Sequence, residues 1–280
     1  MRAVWATLLL LATAGCAPAP GGAAGGPPAR VVSLAPSLTE ILWALGAGER
    51  VVGVCAQCDY PPAVAALPRM GTYLAPSVEA VIAARPDLVV VVPSPGNREA
   101  VRALERAGVR VLVVHDRTLD DLRATVRTIA GALGLAAAGE RLVTEIDGGL
   151  AAVHARVAGL PPRRVLLVVG HSPLVVAGAG TLQDELVTIA GGTNVAADAG
   201  QAWPQISPEV VVARAPEVIV DAAMGTEAGG RELFAALTTV PAVHDGRVVR
   251  IAGDALFRAG PRVVEAARVL AQAIHPEAGG

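Results

Sequence analysis

Lysine is absent: all 23 cationic residues are arginine, a bias that reads as genomic base composition and carries no functional inference. Against 25 acidic residues they leave a formal net charge of -2, so the chain offers no basic face for nucleic acid. Charge is sparse altogether, at 17%, while 53% of the residues are hydrophobic. That composition builds sizeable cores, and 280 residues at roughly 150 per domain suggest two lobes. Aromatic side chains are scarce too: three Trp, two Tyr and two Phe. Their positions are therefore informative. Trp43 follows an amphipathic helical pattern and reads as core, whereas Tyr60, Tyr73 and Trp203 stand beside Pro or Gly in predicted loops. Loop aromatics at the carboxyl ends of α/β strands line ligand clefts or plug the surfaces of lobes, and spacing does not choose between the two.

A run of apolar residues long enough to span a membrane is also missing. The N-terminal run, from the basic start at Arg2 through Ala12, falls short of the ~20 residues of a span and reads as an export signal. The Thr-Ala-Gly-Cys that follows ends at Cys16, which is expected to become a lipidated N-terminus after cleavage. Residues 1–16 are then a lipoprotein signal peptide. Ala17 to Ala29 (APAPGGAAGGPPA) has nothing to bury and is expected to be a flexible tether. The protein would be membrane-tethered and extracytoplasmic, not membrane-spanning.

Signatures of catalysis are lacking. The five His residues show no H-x-x-H or H-E-x-x-H spacing, and there is no G-x-S-x-G elbow or Walker loop. No metal site, cofactor or enzymatic activity is expected. His171 follows a buried strand and a Gly where the chain turns toward a presumed cleft; a ligand-facing role and a hydrogen-bonding surface role both fit. Cys55 and Cys58 form a C-x-x-C in an oxidising context, read as a local disulfide or two inert thiols. A redox dithiol would want a helix start, which Pro61 and Pro62 place beyond the motif. An exported thiol or metal-binding protein built on this pair is the reading from another functional class.

What is present is a repeat. SVEAVIAARPDLVVV, from Ser77 to Val91, returns as SPEVVVARAPEVIVD from Ser207 to Asp221. Each copy reads as a short helix, a Pro break and a buried strand, implying two similarly built halves. Glu79 and Glu209 hold the third position of each copy and could orient the protein over basic sockets of one partner. Short Val/Leu runs predict strands at Val31–Leu34, Arg50–Val54, Leu88–Val92, Val109–Val114, Val165–Val169, Val218–Asp221 and Val248–Ile251, parallel for the most part. Helices are predicted at Ser37–Leu45, Val78–Ala84, Arg98–Ala107, up to Gly134, Ala137–Val157 and Pro261–Ile274. Ser37 and Glu40 read as a capping box opening the first of them, with Gly46 and Gly108 as helix stops.

Together, VVSLAPSLTEILWALG, VVGV followed by CDYPP, the repeated phrase, GTLQDELVTIAGGTN, WPQISPE and GDALFRAGPRVVEAARVL resemble the cobalamin-binding proteins of ABC importers, a family that also takes in receptors for iron siderophores and haem. The resemblance runs from about Arg30 to His275. It implies an α/β fold of two Rossmann-like lobes, residues 30–135 and 161–280, joined by a long rigid helix within 136–160: the class III, helical-backbone substrate-binding proteins. It further implies a ligand cleft that includes Pro36, Tyr60, Trp203, Asp254 and Arg258, with Tyr73 and His171 added as cleft candidates. Glu79 and Glu209 would engage Arg residues of the two permease subunits. The expected ligand is cobalamin or a related corrinoid, with haem or an iron siderophore as the alternative. The expected partner is an ABC permease dimer with its ATPase subunits, and the receptor is expected to be a monomer. Tyr73 and the loop at Pro93 depart from the aromatics expected at those positions, and Cys55 is not a residue of the pattern.

Overall fold

The computed structural model describes residues 26–223, 229–251 and 254–278; the expected signal, Cys16 and most of the tether lie outside the described residues. The first Val-rich runs form strands β1 (Val31–Ser33), β2 (Val51–Val54), β3 (Leu88–Val91) and β4 (Val111–Val113), one parallel sheet in the order β2-β1-β3-β4. Helices α1 (Pro36–Ala44), α2 (Val78–Ala83) and α3 (Arg98–Arg106) lie between these strands, and α4 (Leu119–Ala132) follows them. Then comes α5 (Ala136–Val157), 22 residues long. The second sheet holds β5 (Arg163–His171), β6 (Leu174–Val176), β7 (Gly192–Asn194), β8 (Val218–Asp221) and β9 (Val248–Arg250). Its helices are α6 (Leu182–Ile189), α7 (Pro208–Arg214), α8 (Gly229–Ala235), α9 (Pro241–His244) and α10 (Val263–Ile274).

Side chains alternate across each sheet, as the pleat requires. Leu88 and Val90 of β3 join a core that also holds Val165 and Leu167 of β5 and Val218 and Val220 of β8. Val89 and Val91 face the other way, into a separate cluster with Val81 of α2 and Leu104 of α3. Leu166, Val168 and Ile219 likewise face Val211 of α7 and Phe234 of α8. The inner faces of both sheets therefore share one continuous core, threaded by Ile129 of α4, Ile146 and Leu150 of α5 and Leu270 of α10. Two glycines permit the close approach of these helices. A methyl at Gly149 would come within 2.7 Å of the Val264 side chain, and one at Gly139 within 2.6 Å of the Ala130 methyl.

The repeat is visible at atomic detail. Both short helices end on a left-handed residue before Pro, Arg85 at φ 46° and Ala215 at φ 41°. Arg30, before β1, donates from Nε to the Arg85 carbonyl, and Arg164, at the start of β5, donates from Nε to the Ala215 carbonyl. Asp87 Oδ2 accepts from the Arg30 N–H at 2.9 Å, and Glu217 Oε2 from the Arg164 N–H at 2.8 Å. Each arginine thus satisfies helix-end carbonyls that have no intrahelical partner.

Two expectations need correction. Ser37 and Glu40 form no capping box: α1 starts one residue earlier, with Pro36 at its first position and Ala35 as a cap without a side-chain hydrogen bond. Proline is pre-set for that place, and Ser37 and Glu40 are free for contacts far along the chain. The second sheet contains β6 and β7, which hydrophobic patterning did not reveal, and β6 is antiparallel to β5. Trp43, expected in the core, packs against it from a half-buried position, its indole lying against Gly48.

Candidate functional site

Parallel strands deliver their following residues to the carboxyl edge of the sheet, where α/β proteins place ligands. In the first lobe this edge receives Pro36 after β1, the Cys55–Tyr60 loop after β2, Pro93 after β3 and Asp116 after β4. In the second it receives His171 at the end of β5, Asp221 at the end of β8 and Asp254 after β9.

The Cys55–Tyr60 loop is pinned from below. Cys55 and Cys58 form a disulfide, and both are buried. Arg69 Nη1 donates to the Cys55 and Cys58 carbonyls at 3.3 and 2.6 Å, and Thr39 Oγ1 contacts Cys58 Sγ at 3.2 Å. Tyr60 projects from the far end of this loop and is 44% exposed. The Arg262 guanidinium lies over its ring, 4.5 Å from the centroid, a cation–π geometry.

Arg262 belongs to an ion network that crosses between the lobes. Glu40 of α1 is buried and accepts from Arg262 Nε at 3.0 Å and Nη2 at 2.6 Å, and from Arg258 Nη1 at 3.1 Å. Arg258 Nη1 also donates to Asp59 Oδ1 at 2.7 Å, and Arg258 pairs with Asp254. The hydrogen bond from Arg258 holds the Asp59 carboxyl below the usual carboxylate range. Buried charges of this kind need full partnering, and here two arginines of the second lobe are partnered by three carboxylates and the Gln57 carbonyl.

Asp116 and Arg117 of the first lobe and Gln183, Trp203 and Phe257 of the second line a cavity of about 230 Å³. Trp203 is 46% exposed. Asp116 Oδ2 accepts from Ser37 Oγ at 3.3 Å, and no ion pair reaches it among the described residues. Burial pushes its carboxyl above the ordinary value, opposed by the Ser37 hydrogen bond. Burial likewise raises the Tyr73 phenol, and the charge of Asp116 adds to the effect. Another hollow, about 270 Å³ between α5 and α10, is walled by helix flanks away from the strand ends. Among the described residues no group of His, Cys, Asp and Glu could hold a metal ion, and no helix is long and apolar enough to cross a membrane.

The structure therefore brings Tyr60, Asp254 and Arg258 into one cluster. Trp203 and Asp116 share the wall of the cavity of about 230 Å³, and Tyr73 lies within reach of the Asp116 charge. His171 stands apart from both, its Nε2 2.9 Å from Asp221 Oδ1, while Arg250 Nη1 donates to Asp221 Oδ2 at 3.1 Å. Glu79 and Glu209 are exposed on the outer helices α2 and α7. Sequence reasoning missed Glu40 and Asp116; the latter had a signal, an acidic residue just past a buried strand.

A family model described as "Periplasmic binding protein" matches residues 31–255. Among curated proteins, the Vitamin B12-binding protein of Salmonella typhimurium is 32% identical over 246 residues, 88% of this chain and 90% of its own. Among solved structures, the periplasmic heme-binding protein RhuT from Roseiflexus sp. RS-1 in apo form superposes with a TM-score of 0.79 at 34% identity, over 91% of this chain and 100% of its own. The periplasmic Vitamin B12 binding protein BtuF of Vibrio cholerae gives 0.78 at 25% identity, over 90% and 98%.

Proposed function

Because this chain belongs to the periplasmic binding protein family, we propose that it captures cobalamin or a related corrinoid outside the cytoplasmic membrane and delivers it to an ABC importer. The observation that carries the corrinoid reading is the charge of the cleft. Arg258 and Arg262 are occupied by Glu40, Asp59 and Asp254, and Asp116 stands in the cavity without an ion-pair partner among the described residues. A corrin, flat and rimmed with uncharged amides, suits such walls: Tyr60 and Trp203 offer apolar faces, and Asp116 and Asp59 offer acceptors to amide N–H groups. A ligand carboxylate would meet the like charges of Asp116 and Asp59 there, with Arg117 as the one cation among the described residues of the cavity wall to offset them.

Haem remains the second reading, supported by the 34% identity to the heme-binding RhuT. Calorimetric titration of the protein from residue 17 onward with cyanocobalamin and with haemin decides between them. One-to-one corrinoid binding that haemin does not match is the expected result; tight haemin binding without corrinoid binding overturns the ligand assignment.

The rest of the reading is a matter of place. The chain is organised as lobes 30–135 and 161–280 around a connecting helix in 136–160, behind a tether at 17–29 and a lipid on Cys16. Both sulfurs of Cys55 and Cys58 are shielded from solvent, which supports a structural role for the pair and argues against a thiol reagent.

A further inference from the structure

Among the exposed large hydrophobic side chains, two stand at the same position of the repeat: Ile82 on α2 is 42% exposed and Val212 on α7 is 41% exposed. Each follows its glutamate by three residues, and residues three apart on a helix are neighbours on one face. The opposite face of each helix is pinned inward by Val81 or Val211, both fully buried. The carboxylates are also held alike. Ser77 Oγ donates to Glu79 Oε2 at 3.3 Å, and a hydrogen bond from the Ser207 side chain lowers the Glu209 carboxyl below its ordinary value. Each lobe thus carries one tethered anion with one aliphatic knob beside it.

Their location follows from topology. Each short helix leads directly into a strand, α2 into β3 and α7 into β8, and a crossover helix runs antiparallel to its strand. The starts of α2 and α7 therefore lie toward the carboxyl edges of the two sheets, on the outer flanks of the cleft. A partner straddling the cleft meets both.

We infer that Ile82 and Val212 are paired apolar contacts for a two-fold partner, each of whose two membrane-embedded subunits presents a cation beside an apolar socket. This rests on the importer reading above. Two like pairs on pseudo-equivalent lobes fit a partner made of two like subunits better than a single asymmetric one. The carboxylates supply steering and register, and the knobs supply the burial that holds the complex, since one Ile or Val side chain removed from water is worth about tenfold in affinity.

The test uses cells whose only copy of this chain is a variant, with uptake of labelled cyanocobalamin as the readout and calorimetric affinity of the purified protein as the control. The double substitution Ile82→Ser with Val212→Ser should lower uptake about tenfold or more and leave cyanocobalamin affinity unchanged, because both residues lie on outer helices away from the cleft. The two single substitutions should lose uptake comparably. Unchanged uptake in the double variant, alongside loss in Glu79→Gln with Glu209→Gln, overturns the apolar contacts and leaves carboxylate docking standing. A large loss from one single variant and none from the other overturns the two-fold arrangement. Failure of the unsubstituted chain to support uptake of cyanocobalamin that the purified protein binds overturns the importer reading, and this inference with it.

Discussion

Asp116 is half-buried, accepts one hydrogen bond from Ser37 and has no ion-pair partner among the described residues, so ionising it costs more in the folded chain than in the unfolded one. A carboxyl whose folded pKa is raised contributes its stability below the unfolded pKa and loses it as pH rises through the folded one. Asp116→Asn should therefore stabilise the ligand-free protein at neutral pH, by up to about 1 kcal/mol, and the advantage should vanish as pH falls through the carboxylate range. Urea denaturation at two pH values checks both halves of that statement. Trp203 should behave oppositely, as a residue of function and not of stability. Trp203→Ala should weaken corrinoid binding about tenfold or more with little change in the unfolding midpoint, because nearly half of the side chain is already in water. Glu40 shows why a residue's role can be hidden from its neighbours in sequence. The Ser37-x-x-Glu40 spacing matches a capping signature, yet Glu40 is bound to Arg258 and Arg262, 218 and 222 residues away, and only the closed chain brings them together.

At the level of elements, the legible parts were those that repeat or run long. Helix α5 was bounded to within a residue by its Leu and Ile spacing, and β3 and β8 by their valines. Strands β6 and β7, three residues each, are too short for alternation to show; pairing with the long β5 defines them. Two of the three glycines of α5, Gly139 and Gly149, are contact points in the fold. Gly149→Ala should destabilise the protein by about 1–3 kcal/mol, the cost of forcing a methyl into Val264, whereas Gly148→Ala, with nothing near its added carbon, should stabilise it by up to about 1 kcal/mol. Opposite signs at adjacent positions, read by thermal denaturation, test the packing of α5 on α10. At the other end of the repeat, Ala215 sits at φ 41°, and Ala215→Gly should relieve about 0.5–1 kcal/mol of strain.

For the whole molecule, two lobes sharing one core should unfold together. Calorimetry should show a single transition with equal calorimetric and van't Hoff enthalpies; two resolved transitions would mean that the inner faces of the sheets part independently. The same continuity bears on traffic at the membrane. On the proposed importer reading, a receptor whose halves share one core through α4, α5 and α10 would present Glu79 and Glu209 at one spacing whether its cleft is full or empty. Occupancy would then go unannounced at the proposed docking face, and vacant receptors would queue for the importer alongside loaded ones. Cells that overproduce this chain while corrinoid is scarce should consequently import more slowly than cells with modest amounts of it, because a dock filled by an empty carrier is closed to the next full one.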